Sequence, residues 1–443
     1  MGRLFGTDGI RGVANRDLTP DLALAVGRAV AHALSAGEVV VGRDTRISGP
    51  MLEAALTAGL CSAGADVHSA GIMPSPGIAF LTTAEKATAG AVVSASHNPV
   101  ADNGIKFFSS AGTKLSSDLE EEIERSMAEP SSLELPEGDA VGRAEPLGDG
   151  ADRYVDHLLG TLDTRLTGLR VVLDCAYGAA WQIGPRVFRE AGADVVAINA
   201  EPDGTRINVD CGSTAMDGLA KRVVAEGADI GLAFDGDADR VLAVDETGSH
   251  IDGDRILALC AMHLQDAGLL HKDVVVATVM ANLGFRRLLE ARGIEVVAAQ
   301  VGDKFVAHAM AARGAAIGGE QSGHLIFSQH ATTGDGLLTG LQVAQILEGS
   351  ASTFSRVADL FEPFPQVLIN VPVVDRDGLE GAESLWSEVA AVEDELGDDG
   401  RVLLRASGTE PLVRVMVEAA DATVARGCAE RLAAAVEASL GRR

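Results

Sequence analysis

Three carboxylates at alternate positions, Asp235, Asp237 and Asp239, follow the apolar run 227–234 and are closed by Arg240. On an extended chain i, i+2 and i+4 point the same way, so the three groups are expected to converge. Like charges held that close repel and raise one another's pKa values unless a cation neutralises them. Oxygen-only ligands suit a hard ion, and Mg²⁺ is the physiological default beside phosphate. Gly236 and Ala238 leave room for tight coordination. An EF-hand is excluded, because the later bidentate Glu is missing. A solvated acidic loop is the plain alternative, but the apolar strand before it and the fixed alternation favour a metal site.

Further candidates lie elsewhere in the chain. In Ala91–Lys106 an apolar run ends in Ser94-Ala-Ser96-His97-Asn98-Pro99, which places a serine on a loop beside an imidazole, with the Lys106 ammonium a few residues on. Pro99 cannot continue a strand ladder and pushes Asn98 away from helical geometry. Arg405-Ala-Ser407-Gly408-Thr409-Glu410-Pro411-Leu-Val-Arg414 offers backbone N–H groups, two hydroxyls and two guanidinium forks, the make-up of a phosphate nest. Glu320-Gln-Ser322-Gly-His324 supplies the donors and acceptors that a polyhydroxylated ligand needs. Phe5-Gly-Thr-Asp-Gly-Ile-Arg11-Gly is a glycine-punctuated loop without the spacing of a nucleotide-binding loop. Each could be an ordinary turn when taken alone.

The elements that must position these loops alternate between short Val/Ile-rich strands and helical patterns, the mark of βαβ units. Thr19-Pro20 fits an N-cap and first helical position for a helix to about Ala33. Strands are expected over 38–42, 66–69, 91–96 and 105–108, with a helix over 50–62. Ser117-Asp-Leu-Glu120 reads as a capping box. Later strands are expected over 170–175, 194–199, 227–234, 273–279 and 294–298. Phe361–Pro365 reads as a linker. Beyond it the pattern of strand, helix, two consecutive strands and the helix 422–440 suggests an antiparallel α+β domain.

The 443 residues exceed one core. A formal net charge of −28 argues against a nucleic-acid or anionic-membrane partner. It leaves room for an anionic small substrate, because salt screens the global field beyond about 8 Å. The five cysteines are scattered and never form a CxxC pair, which favours free thiols in a reducing cytosol. The N-terminus has no apolar signal segment and no run is long enough to span a bilayer, so a cytoplasmic protein is expected. A homodimer is left open.

The motifs at Ser94–Pro99, Asp235–Arg240, Gly319–His324 and Arg405–Pro411 resemble, in order and over essentially the whole chain, the active-site loops of the α-D-phosphohexomutases. Phe5–Gly12 and Gln321 resemble the branch of that family that acts on glucosamine phosphate and feeds cell-wall precursors. The resemblance implies three α/β domains with mixed sheets plus a C-terminal α+β domain around a central cleft. These are expected over 1–152 (phosphoserine loop), 153–251 (metal loop), 252–365 (sugar loop) and 366–443 (phosphate loop). It implies a phosphoserine at Ser96 that, with Asp235, Asp237 and Asp239, holds one Mg²⁺ per site. Glucosamine 1,6-bisphosphate is implied as intermediate and activator. Arg240 would add positive charge. Lys106 is the first candidate for general base, with His97 or His324 assisting, and it would need its pKa lowered by neighbouring cations. Glu320, Ser322 and His324 would meet sugar hydroxyls, and Arg11 and Lys304 would meet phosphate or sugar. Arg405, Ser407, Gly408, Thr409 and Arg414 would grip the phosphate that is not reacting. A hexose-phosphate mutase of other specificity, a Mg²⁺-dependent phosphatase and a sugar-phosphate sensor remain alternatives.

Overall fold

The computed structural model describes residues 4–6, 8–35, 37–129, 133–375, 377–407 and 411–441. The chain forms two compact units, Met1–Thr278 with Val297–Leu360, and Val279–Val296 with Phe361–Arg443.

The first unit contains three mixed sheets. The first has six strands in the order Ile10–Val13, Asp102–Ser109, Ala89–Val93, Gly37–Arg43, Ala65–Ile72 and Ala144–Pro146. Ala89–Val93 runs parallel to Gly37–Arg43 and antiparallel to Asp102–Ser109. Its five residues are all buried, which is why they read as a continuous apolar run rather than an alternating one. Val39, Val41, Val93, Leu52, Leu56 and Leu60 share one core. Each such side chain contributes roughly 1.5–3 kcal/mol on burial. Helix Pro20–Ala33 begins as expected, with the Thr19 hydroxyl accepting from Leu22 N. It packs on helix Gly49–Ser62 at glycines: a Cβ on Gly59 would lie 2.2 Å from Leu24 O. The capping box is displaced by one residue. Ser116 caps helix Ser117–Ala128 by accepting from Leu119 N, and this leaves the Ser117 hydroxyl for another partner.

In the second sheet, Arg170–Asp174 lies parallel to both Asp194–Ile198 and Ile230–Phe234. An antiparallel return strand, Val241–Asp245, pairs with Ile230–Phe234 and was not anticipated. In the third, Val274–Thr278 is parallel to Ile317–Gly319, which pairs antiparallel with Leu325–Phe327. The three sheets therefore repeat one device. A buried parallel strand ends in a polar loop, and the chain returns antiparallel. The loops are Ser94–Ala101, Asp235–Arg240 and Glu320–His324.

The second unit has a three-stranded antiparallel sheet in the order Gln366–Pro372, Leu412–Ala419 and Gly400–Ala406, with helices Glu383–Leu396 and Ala422–Leu440. Val371, Leu385, Val413, Val415, Leu432 and Val436 lie in its core. The segment 279–296 is tied to this unit by buried polar groups. Arg401 donates to the carbonyls of Val279 (2.8 Å) and Ala281 (2.6 Å), and Asn282 bonds both the N–H and the carbonyl of Phe364.

Candidate active site

Ser96 leaves the sheet three residues after Val93 and takes a left-handed backbone, φ 52°. Its hydroxyl donates to Asp235 Oδ2 and lies 3.3 Å from His97 Nδ1. Burial of the imidazole, reinforced by Arg240 and Arg11, pushes the His97 pKa down to about 4, so the ring is neutral at pH 7.

The three aspartates meet, but not by alternation along an extended strand. Asp235–Arg240 is a tight hairpin connection in which Ala238 adopts φ 58° and its N–H donates to Asp235 O. The turn brings one oxygen of each of Asp235, Asp237 and Asp239 within 4.8 Å of the others. All three are buried. Asp235 is raised well above the usual carboxylate range by burial and by the charges of Asp239 and Asp237, and Asp239 is raised by burial and Asp237. Asp237 behaves oppositely: Lys106 and the Ser75 hydroxyl outweigh its burial and hold it low. Both bond its Oδ2, and its Oδ1 is buried with no hydrogen-bond partner among the described residues. Asp239 Oδ1 is in the same state. Unpartnered buried oxygens beside a crowded carboxylate set are what a divalent cation would satisfy, so the residues fit Mg²⁺.

Lys106 lies on the return strand opposite Val92. Its Nζ is 2.8 Å from Asp237, 3.0 Å from Asp8 and 3.6 Å from Asp239. Burial works against its charge, yet these carboxylates prevail and raise its pKa above the ordinary value. The surrounding cations expected of a lysine base are replaced here by carboxylates, with Arg11 the main opposing charge. Asp8, which sequence reasoning passed over, also bonds Arg11 and Lys114, and Lys114 reaches Asp303. Arg11 additionally donates to Asn98 Oδ1 at 3.0 Å.

Arg240 approaches Asp239 at 3.7 Å, and its N–H donates to Asp235 Oδ1. Glu320 is held by Gly302 N (2.9 Å) and by the Ser322 hydroxyl (3.3 Å). Gln321 donates to Asp252. His324 is buried, and its Nε2 accepts from Gly334 N, which assigns the ring proton to Nδ1 in the neutral form. Lys304 donates to the Ser117 hydroxyl freed by the shifted cap and lies 3.6 Å from Glu120.

In the second unit, Arg405 and Arg414 are directly opposite on adjacent strands, and both line a small cavity with Met280 and Leu403. Ser407 N donates to Leu412 O and closes the connection. Gly408 and Thr409 lie outside the described residues.

Sequence reasoning also gave no role to Ser75, Lys114, Asp303, Asp44, Arg46 and Asn208, or to Ser94 within its motif. Asp44 and Arg46 stood in Gly42-Arg-Asp-Thr-Arg46, a polar cluster directly after a buried strand, which is the signal that marked the other loops.

Four domain descriptions of the phosphoglucomutase/phosphomannomutase family match in order: α/β/α domain I at residues 2–134, domain II at 152–248, domain III at 252–364 and the C-terminal domain at 368–435. The chain belongs to this family, the α-D-phosphohexomutases. Among curated relatives it is 53% identical over 441 residues to the phosphoglucosamine mutase of Salinispora tropica, covering 98% of each chain. It is 53% identical over 454 residues to that of Streptomyces griseus, covering all of both. A solved family protein from Burkholderia thailandensis superposes with a TM-score of 0.85 at 26% identity, over 99% of this chain and 97% of the other. The N-acetylphosphoglucosamine mutase of Aspergillus fumigatus, solved with GlcNAc-6P and magnesium, shares the fold at 20% identity, with a TM-score of 0.72 over 98% and 96% of the two chains. Among the described residues no helix is long and apolar enough to cross a membrane. Nothing observed supports the homodimer left open above.

Proposed function

We propose that this chain interconverts glucosamine 6-phosphate and glucosamine 1-phosphate, with Ser96 as phosphoryl carrier and glucosamine 1,6-bisphosphate as the intermediate. One observation carries the reading: the Ser96 hydroxyl is bonded into a buried aspartate triad. Full-length relatives named phosphoglucosamine mutase supply the substrate class. Phosphorylated Ser96, Asp235, Asp237 and Asp239 would hold Mg²⁺, which supplies positive charge to the phosphoryl oxygens when bound. The scattered cysteines, all free, suit a reducing cytosol.

The 1-hydroxyl oxygen of glucosamine 6-phosphate attacks phosphorus on Ser96. The new P–O bond forms as the Oγ–P bond breaks, and the hydroxyl proton passes to a base. The bisphosphate turns over, and the Ser96 oxygen attacks its 6-phosphoryl group: the Oγ–P bond re-forms as the O6–P bond breaks, O6 takes up a proton, and glucosamine 1-phosphate leaves. The cationic Lys106 steadies the phosphoryl charge, while His97, neutral above a pKa of about 4, is the proton acceptor of suitable charge state. His324 donates through Nδ1. Glu320, Ser322, Lys304 and Arg11 bind the sugar and its phosphate. Arg405, Ser407, Gly408, Thr409 and Arg414 bind the phosphate that is not reacting.

Intact mass of the purified protein should show one phosphate, absent in Ser96→Ala. Rates on glucosamine, mannose and glucose phosphates, compared side by side, should favour glucosamine. An Ser96→Ala enzyme with full mutase activity would sink the mechanism, and a preference for mannose phosphate would sink the specificity.

A further inference from the structure

Arg46 follows strand Gly37–Arg43 and is completely buried. Its guanidinium grips the Ser96 loop through main-chain carbonyls. Nη2 donates to Ser96 O (2.9 Å) and Asn98 O (2.8 Å), and Nη1 to Pro99 O (2.6 Å) and Asp102 O (2.9 Å). Nε donates to Asp44 Oδ2 at 3.0 Å. Asp44 Oδ2 also accepts from the Ser94 hydroxyl, and that hydroxyl accepts from Ser96 N. From the other side, Asn208 Nδ2 donates to Ser96 O at 2.8 Å.

Ser96 thus has both backbone polar groups fastened, on a residue whose φ is positive. Such a backbone persists only where its surroundings over-determine it. Three carbonyls of one loop and that of Asp102, the first residue of the return strand, converge on a single guanidinium, which is more than a helix-capping or strand-end arginine needs. The planar fork reaches acceptors on several sides at once, whereas a lysine has one nitrogen.

We infer that Arg46, oriented by Asp44, is a positioning residue that sets where the Ser96 oxygen stands for phosphoryl transfer. This rests on Ser96 being the phosphoryl carrier. Arg46 spends its donors on protein atoms and acts through the loop. Losing the grip alters chiefly the aim of Ser96, and of the groups assigned to sugar or phosphate only Arg11 bonds this loop, through the Asn98 side chain, so the defect belongs mainly in kcat.

The test uses the full-length enzyme with Mg²⁺ and compares wild type with Arg46→Lys and Asp44→Asn. Measured are intact mass, thermal unfolding, and kcat and KM for glucosamine 6-phosphate. Asp44 accepts at both oxygens, so an amide there must turn its NH₂ either toward the Arg46 main-chain N–H or toward the guanidinium and the Ser94 hydroxyl, and either loosens the anchor of Arg46. Arg46→Lys is expected to lower kcat about 10–100-fold, as for a misplacement of up to ~1 Å, with KM nearly unchanged. Asp44→Asn should move in the same direction and gives the reading if Arg46→Lys does not fold. A folded Arg46→Lys with wild-type kcat, or a loss expressed wholly in KM, overturns the inference, as does Asp44→Asn with unchanged kcat. Wild-type enzyme that turns over without phosphate on Ser96 would instead remove the proposed function.

Discussion

Gly236 sits between Asp235 and Asp237 and against the Ser96 loop. A Cβ placed there would lie 2.5 Å from Ser96 O, 2.9 Å from Asn208 Nδ2 and 3.0 Å from Ile207 Cδ1. The first of these is main chain that Arg46 and Asn208 already hold, so it cannot swing aside like a long side chain. To reach even a tight contact of 3.0–3.4 Å, either the Ser96 carbonyl or the aspartate turn must retreat by at least about 0.5–0.9 Å. Both carry reacting groups, and a misplacement of ~1 Å costs about 100-fold in rate. Gly236→Ala should therefore lower kcat about 10–100-fold, and overpacking should cost ~1–3 kcal/mol of stability. Gly218, in helix Asp217–Glu226, is the control, since nothing lies within 4 Å of its Cβ position. Gly218→Ala should leave kcat unchanged and add up to ~1 kcal/mol of stability. Steady-state kinetics beside thermal unfolding separates the two effects. Gly236→Ala with kcat within a factor of ~2 of wild type would refute the reasoning that links Ser96 placement to rate.

Asp235 and Asp239 have pKa values raised in the fold, so without metal the folded state holds protons that the unfolded state releases, and stability is lost as pH rises through the folded values. Mg²⁺ should then raise the unfolding temperature by a margin that grows as pH rises through those folded values, and a margin that does not change with pH would contradict the triad as the binding site. For His97 the sign is reversed. Its folded pKa of about 4 lies below the unfolded value, so stability should fall as pH drops from ~6.5 toward 4, a slope that His97→Gln should flatten in pH-resolved melts. Lys106→Met leaves the carboxylates around it without their cation. Breaking a buried pair in this way costs ~3–5 kcal/mol, and added Mg²⁺ should restore part of the lost melting temperature. Arg414→Ala should raise KM for sugar phosphate while the phosphate on Ser96, read by intact mass, is retained. A change in kcat alone would argue against a phosphate grip at that position.

What the sequence revealed and what it hid divide along a physical line. Buried strands are legible because continuous apolar runs have one common explanation, and the loops at their ends announce themselves through dense polar residues, so Ser96, the aspartates, Glu320 and Arg405 stand out as candidates. The return strands were harder to see. Val241–Asp245 begins one residue after the aspartate loop, leaving no gap in which to read a turn. The convergence of the three aspartates was anticipated for the wrong reason, because a left-handed Ala238 folds the segment into a hairpin that alternation along a strand does not require. Charge partners were the least legible feature. The Lys106 ammonium is governed by Asp8, almost a hundred positions earlier, and by Asp237, more than a hundred later. No local pattern encodes that pairing. An isolated lysine near a serine can be read as a base, whereas carboxylates packed against it raise its pKa, and that packing is set entirely by tertiary structure. Arg46 is the sharper case. Its four carbonyl partners are main-chain atoms and carry no sequence identity, so the residue that most constrains the Ser96 loop is the one whose role sequence reasoning has the least means to read.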